Sequence, residues 1–286
     1  MHFLTAVADY PFLQRALVTA IVVGALCGAI GALTILRGLA LMGDAVSHAV
    51  LPGVAASFAL GVGFLPGALV AGLLSALGIG YIQQHSRIKP DAAIGIVFTA
   101  MFAIGIVLMT LYPADMDLTT ILFGNVLAVR PAEMWATIGL AAAVLAVLAA
   151  LFKELQVSIF DPVMAAAYGL PVARIHRVLM LLLTVVTVIA LQTVGVVLVV
   201  AMLITPAATA HLLTDRLGRM VLLAAAIGAA EAVVGLYLSF RFDLPSGAVI
   251  VLVGAVVFAA VLVVAPRHGL LARRRPARLP VGSGSA

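Results

Sequence analysis

Charge is the scarcest thing in this sequence. Its 286 residues include 16 Lys and Arg and 11 Asp and Glu, 9% in all, against 65% hydrophobic residues. Soluble domains carry about 25% charged residues. A water-soluble enzyme or binding module is therefore excluded, and a mean hydropathy of +1.28 says the same. Cysteine occurs once, as Cys27, which rules out an intrachain disulfide and a thiolate metal cluster; the residue reads as a small core side chain. Short alternating segments are missing, which excludes a transmembrane barrel. A basic N-terminal region followed by a small-residue cleavage site is missing, so no cleaved signal peptide is expected. No glycine-rich loop ends in Lys and Ser or Thr, so the chain does not hydrolyse nucleotide itself. Neither a His-Glu-x-x-His helix nor a Gly-x-Ser-x-Gly turn occurs, which sets aside an intramembrane hydrolase, and no catalytic residue is assigned.

What is present is hydrocarbon in runs of about 20 residues, the length that crosses a bilayer as a helix. Nine apolar segments are read, near 16–36, 40–60, 64–82, 92–112, 132–152, 178–193, 195–213, 219–240 and 245–265. The fold class is all-α, a polytopic integral membrane protein of eight to nine spans. Residues 178–213 exceed one crossing, so a tight hairpin at Gln192-Thr193-Val194-Gly195 is preferred to one long broken helix. Residues 1–270 form a single transmembrane domain, and 271–286 a basic, disordered cytoplasmic tail.

Basic residues set the orientation. With the C-terminus on the cytoplasmic side of the plasma membrane, 13 of the 16 basic residues fall inside, and only Arg15, Arg130 and Arg241 fall outside. The tail arginines Arg273, Arg274, Arg275 and Arg278 then face acidic lipid, not nucleic acid. Small residues at the four-residue spacing, Gly24/Gly28 and Gly63/Gly67, favour close helix packing.

Asp44 and His48 stand four residues apart in one of the most apolar regions, so on a helix both point the same way. A carboxylate and an imidazole make a divalent-metal ligand set. Near the start of the second span they lie roughly 7 Å and 13 Å from the cytoplasmic end, at 1.5 Å per residue. An ionisable pair at that depth is costly and points to function. Two copies across a dimer axis would supply two carboxylates and two imidazoles, a cage for a first-row cation; the plainer alternative is a structural His–Asp hydrogen bond. Ser47 is a candidate for steadying the ligands. Pro52 should kink the helix and open backbone groups to a cavity. Protonating His48 would remove a ligand, so such a site is expected to fail in acid.

Other ionisable residues carry weaker signals. His211 and Asp215 repeat the four-residue spacing, read as a metal exit or as side chains reaching for water. Glu231, mid-span, is read as a ligand or proton carrier, or as an interhelical contact. Asp91 is expected to cap the fourth span. Asn125 and the acidic loop with Asp115 and Asp117 sit in a stretch whose span is unclear. His85 and His176 are placed in cytoplasmic loops.

The longest polar connection, 153–177, contains an element bounded at both ends. Asp161 suits an N-cap and Pro162 the first helical position. Met164, Ala165 and the following alanines favour helix, Tyr168 follows, Gly169 suits the position after the helix, and Pro171 stops it. A short cytoplasmic helix over about 161–171, exposing Met and Tyr, is read as a coupling element for a partner protein, or else as an ordinary interfacial helix.

These stretches bring the sequence to a known pattern. The run Gly43-Asp44-Ala45-Val46-Ser47-His48-Ala49-Val50-Leu51-Pro52-Gly53 is its most specific part. Asp91-Ala92-Ala93-Ile94-Gly95-Ile96-Val97-Phe98 and Leu122-Phe123-Gly124-Asn125-Val126-Leu127-Ala128-Val129 follow, then the segment from Phe160 to Pro171. Ala201-Met202-Leu203-Ile204-Thr205-Pro206-Ala207-Ala208-Thr209-Ala210 and Asp243-Leu244-Pro245-Ser246-Gly247 complete it. From about residue 12 to 265 the chain resembles the permease subunit of bacterial ABC importers for manganese, zinc or iron. The resemblance implies a homodimer or near-homodimer of permeases, two cytoplasmic ATPase subunits beneath it, and an extracytoplasmic metal-binding protein that delivers the cation. It implies that Asp44 and His48 coordinate the passing ion and that 161–171 couples to the ATPase. Members often carry Arg where this chain has His211. The family is often drawn with eight spans, one fewer than read here. No permanently bound cofactor is expected; the metal is cargo, manganese before zinc or iron. A gradient-driven secondary transporter or channel, with Glu231 carrying the coupling proton, is the competing function.

Overall fold

In hydrocarbon a backbone must satisfy its own hydrogen bonds, and a helix does so within one segment. The computed structural model describes residues 9–111 and 126–265, and every regular element among them is helical. In chain order these are α1 (Pro11–Leu36), α2 (Ala40–Ala49), α3 (Leu51–Ala59), α4 (Phe64–His85) and α5 (Pro90–Leu111). After a short 3-10 turn at Val126–Ala128 come α6 (Pro131–Ala150), α7 (Phe152–Phe160), α8 (Pro162–Ala167) and α9 (Val172–Val194). The last are α10 (Val196–Leu213), α11 (Leu217–Phe242) and α12 (Ser246–Val264).

Among the described residues seven helices, α1, α4, α5, α6, α9, α11 and α12, are long and apolar enough to cross a membrane. The remaining expected segments have shorter counterparts. Helix α10 covers 196–213, and the segment expected at 40–60 is split into α2 and α3. The split follows from Pro52 in the first turn of α3, which has no N–H to return to the carbonyl of His48. Between α9 and α10 the helix breaks at Gly195, whose φ of +78° suits glycine alone.

The structure corrects the sequence reading in three places. The connection at 153–177 is mostly helix: α7 fills its first part, and α9 begins at Val172, before the expected 178. His85 is therefore the last residue of α4, and His176 lies in the second turn of α9. Asp91 sits inside the first turn of α5, behind Pro90, where its charge favours the helix dipole without being the cap itself. Asp115, Asp117, Asn125 and the tail from 271 lie outside the described residues.

The core is organised around α1 and α9, which are buried along most of their length, whereas α5 and α12 are largely exposed. Helix α1 achieves this with small residues. A Cβ on Gly24 would run into the carbonyl of Gly228, and one on Gly28 into that of Ala224. Four residues forward on α1 are matched by four residues back on α11, so the two helices run antiparallel with backbones in contact, as small residues in membrane helices permit. Further along, Gly31 meets the carbonyl of Leu203 on α10. Gly67 likewise packs on Gly53 of α3. Gly63 has another role: its φ of +85° makes the turn into α4.

Gly28→Val should drive α1 away from α11 and cost about 1–3 kcal/mol, read as a lower unfolding temperature in detergent. Gly78→Ala, whose added Cβ would meet nothing within 4 Å, should be neutral or stabilising.

Candidate metal-transit site

Helix α2 has two faces. Met42 and Val46 are fully buried, and so is Ser47, whose hydroxyl donates to the Gly43 carbonyl at 2.8 Å. Gly43 lets the helix lie close to α10, since an added Cβ would stand 2.8 Å from Leu203 Cδ1. The other face carries Asp44 and His48. Their side chains are 50% and 26% exposed, with His48 Nε2 3.7 Å from Asp44 Oδ1. That is too long for a good hydrogen bond. Two ligands each about 2.1 Å from a tetrahedral cation stand about 3.4 Å apart, so the pair is already close to the spacing a shared ion requires.

The imidazole is fixed from one side. Phe98 and Phe102 on α5 place their rings 5.5 Å and 5.7 Å from that of His48, the second at 86° to it. Both are edge contacts of the kind aromatic rings prefer. One turn further, Gly105 brings α5 onto the break between α2 and α3, with an added Cβ 2.8 Å from Leu51 Cβ and 3.1 Å from Pro52 N. Positions 98, 102 and 105 thus form one face of α5 that covers both the ligand and the elbow beyond it. Sequence reasoning gave Phe98 and Phe102 no role, although their four-residue spacing in an apolar helix was the available signal. It linked Ser47 to the ligands, whereas the hydroxyl is taken up inside its own helix. Pro52 does mark the break, and it lines an apolar groove of about 400 Å³ with Gly53, Gly67 and Val70.

The remaining sequence candidates do not join this pair. His211 is exposed in the last turn of α10, but the helix ends at Leu213 and Thr214 is extended, so Asp215 does not share its face. Glu231 is 3% exposed and faces a different place. It lies among residues of α10 and α12, where a Cβ on Gly254 would be 3.0 Å from its Oε2. Its Oε1 has no hydrogen-bond partner among the described residues. Among the described residues no cluster of three His, Cys, Asp or Glu side chains could hold a metal. Asp44 and His48 therefore form a two-residue polar face, open on one side.

The segment around α8 has the expected form. Asp161 Oδ1 accepts the Met164 N–H at 2.8 Å, Pro162 opens the helix, and Gly169 follows it with a φ of +77°. Val163, Met164 and Tyr168 are exposed beside Phe160, and Tyr168 is 75% exposed. Ala165 differs from expectation: it is fully buried and anchors the helix to the body instead of facing outward.

Known proteins share this architecture. The profile of the ABC 3 transport family matches residues 9–265. The manganese transport system membrane protein MntC of Listeria monocytogenes is 56% identical over 271 residues, covering 95% of this chain and 97% of that protein. The chelated iron transport system membrane protein YfeC of Yersinia pestis is 40% identical, covering 95% and 92%. Among solved structures, PsaBC from Streptococcus pneumoniae in complex with Fab aligns with a TM-score of 0.85 at 48% identity, over 93% of this chain and 96% of that one. With a polytopic helical body, a family profile that matches residues 9–265 and relatives of this identity along almost the whole length, the chain belongs to the ABC 3 transport family.

Proposed function

We propose that this chain is the membrane-spanning permease subunit of an ATP-driven importer of divalent metal, with manganese as the principal cargo. The observation that carries the reading is the Asp44–His48 face: two ligands at near-coordination spacing, with no third ligand beside them in the described chain. A second permease copy facing the first completes a four-ligand cage. One carboxylate and one imidazole per chain suit manganese, iron and zinc. Manganese is favoured because the relatives in Listeria and in Streptococcus gordonii are named for it, whereas the Yersinia relative is named for chelated iron.

The rest of the assignment follows from what the chain lacks and what it exposes. It has no nucleotide-binding loop of its own, so hydrolysis falls to separate cytoplasmic ATPase subunits. The apolar knob of Val163, Met164 and Tyr168, held by Asp161 and Gly169 on the buried Ala165, is the surface they grip. On this reading α8 and the C-terminus lie in the cytoplasm, and the opposite end receives metal from an extracytoplasmic binding protein. Transit needs moderate affinity, because a cage that binds too tightly does not release. A gradient-driven transporter has one observation in its favour, the unpartnered carboxylate of Glu231. Manganese uptake that persists without any ATPase subunit, and is lost in Glu231→Gln, would establish that reading instead.

Asp44→Ala and His48→Ala should each lower ATP-dependent uptake of radioactive manganese by more than ~10-fold while the permease still co-purifies with its ATPase. Normal uptake by both variants would sink the site. Tyr168→Ala combined with Met164→Ala should weaken ATPase binding by about 2 kcal/mol or more, seen as loss of co-purification with manganese binding at α2 retained.

A further inference from the structure

Arg37 ends α1, and its guanidinium reaches across to α7, where Nη2 donates to Ser158 Oγ at 2.9 Å. Ser158 is fully buried, and its hydroxyl in turn donates to the Leu155 carbonyl at 3.1 Å. This bond joins the two functional elements by short, stiff paths. From Arg37 the chain turns through Gly38, with a φ of +69°, and buried Leu39 into α2; Asp44 follows seven residues after Arg37. From Ser158 it is three residues to Asp161, the cap of α8.

The guanidinium is under-satisfied, and so are polar side chains on α7 and α9. Arg37 Nε, Glu154 Oε2 and His176 Nδ1 are buried and have no hydrogen-bond partner among the described residues. Glu154 lies one turn before Ser158 on the same face of α7, and His176 is within electrostatic reach of Arg37. Buried polar groups in folded proteins are nearly all paired. Desolvation pulls the Arg37 pKa below its ordinary value, so each bond the guanidinium makes counts. Ser158 and Glu154 are about 6 Å apart along the helix axis, at 1.5 Å per residue. Sliding α7 by one turn would exchange a hydroxyl acceptor for a carboxylate and use the unspent Glu154 oxygen in a charge-assisted bond. One-turn shifts of packed helices are a known form of two-state switch.

We propose that Arg37 is a positioning residue for import, tying the docking element to the metal-ligand helix and exchanging Ser158 for Glu154 when α8 is driven. The inference rests on the function proposed above and deepens it: the push on α8 reaches Asp44 and His48 through one guanidinium.

The test uses the complete transporter with its ATPase subunits in lipid vesicles, supplied with manganese ions, and reads manganese imported per ATP hydrolysed. Ser158→Ala and Glu154→Gln, both nearly isosteric, should keep basal hydrolysis and lower that ratio about tenfold. Arg37→Met should do the same, with partial recovery in Arg37→Lys. A ratio unchanged in either Ser158→Ala or Glu154→Gln overturns the proposal. A parallel fall in import and hydrolysis, the mark of a merely structural role, overturns it too. If the unaltered assembly imports no manganese, the importer reading fails, which is a separate result.

Discussion

Leu203 is where the bundle and the helix that carries Asp44 and His48 meet. Its backbone carbonyl lies against Gly31 of α1, and its side chain lies against Gly43 of α2. One residue of α10 therefore fixes how close α1 comes on one side and how α2 is rotated on the other. Rotation matters because α2 has a buried face of Met42, Val46 and Ser47 and an open face of Asp44 and His48. Without the two glycines α10 would stand further off, and the ionisable face would lose its aim. In a membrane this precision comes from packing, because lipid offers apolar side chains as good an environment as protein does.

The same logic explains where helical regularity is given up. The break between α2 and α3 and the break at Gly195 both fall where the backbone is largely buried. Irregular backbone at membrane depth survives only inside protein or beside a water-filled cavity. Gly105 closes over the first break from α5. The elbow and His48 are thus covered by one helix, which is exposed on its other faces.

Much of this was legible in the sequence, for physical reasons. Hydrocarbon runs near bilayer length announce spans, and Asp161, Pro162 and Gly169 carry conformational preferences strong enough to mark α8 almost to the residue. What stayed hidden was tertiary. Helices α1 and α5 are both apolar all round, so periodicity does not say that one is central and the other peripheral. The amphipathic residues of α7 looked like a polar connection because its buried face is short, with Leu155 and Ser158 at its centre. His211 and Asp215 have the spacing of Asp44 and His48, yet a helix end falls between them; spacing is informative only where the helix continues. Ala165 was counted among the docking residues because composition does not say which side of a two-turn helix faces inward.

The aromatic wedge of Phe98 and Phe102 around His48 bears on how quickly an ion could be taken up and let go. A free imidazole on a helix must give up rotamer freedom to become a ligand. Here that loss has already occurred, when α5 packed against α2 during folding. As a ligand such an imidazole would be pre-organised: an ion would meet a ring held in place, and leave a ring that does not collapse behind it. What would then set the dwell time is the water the ion must shed and regain.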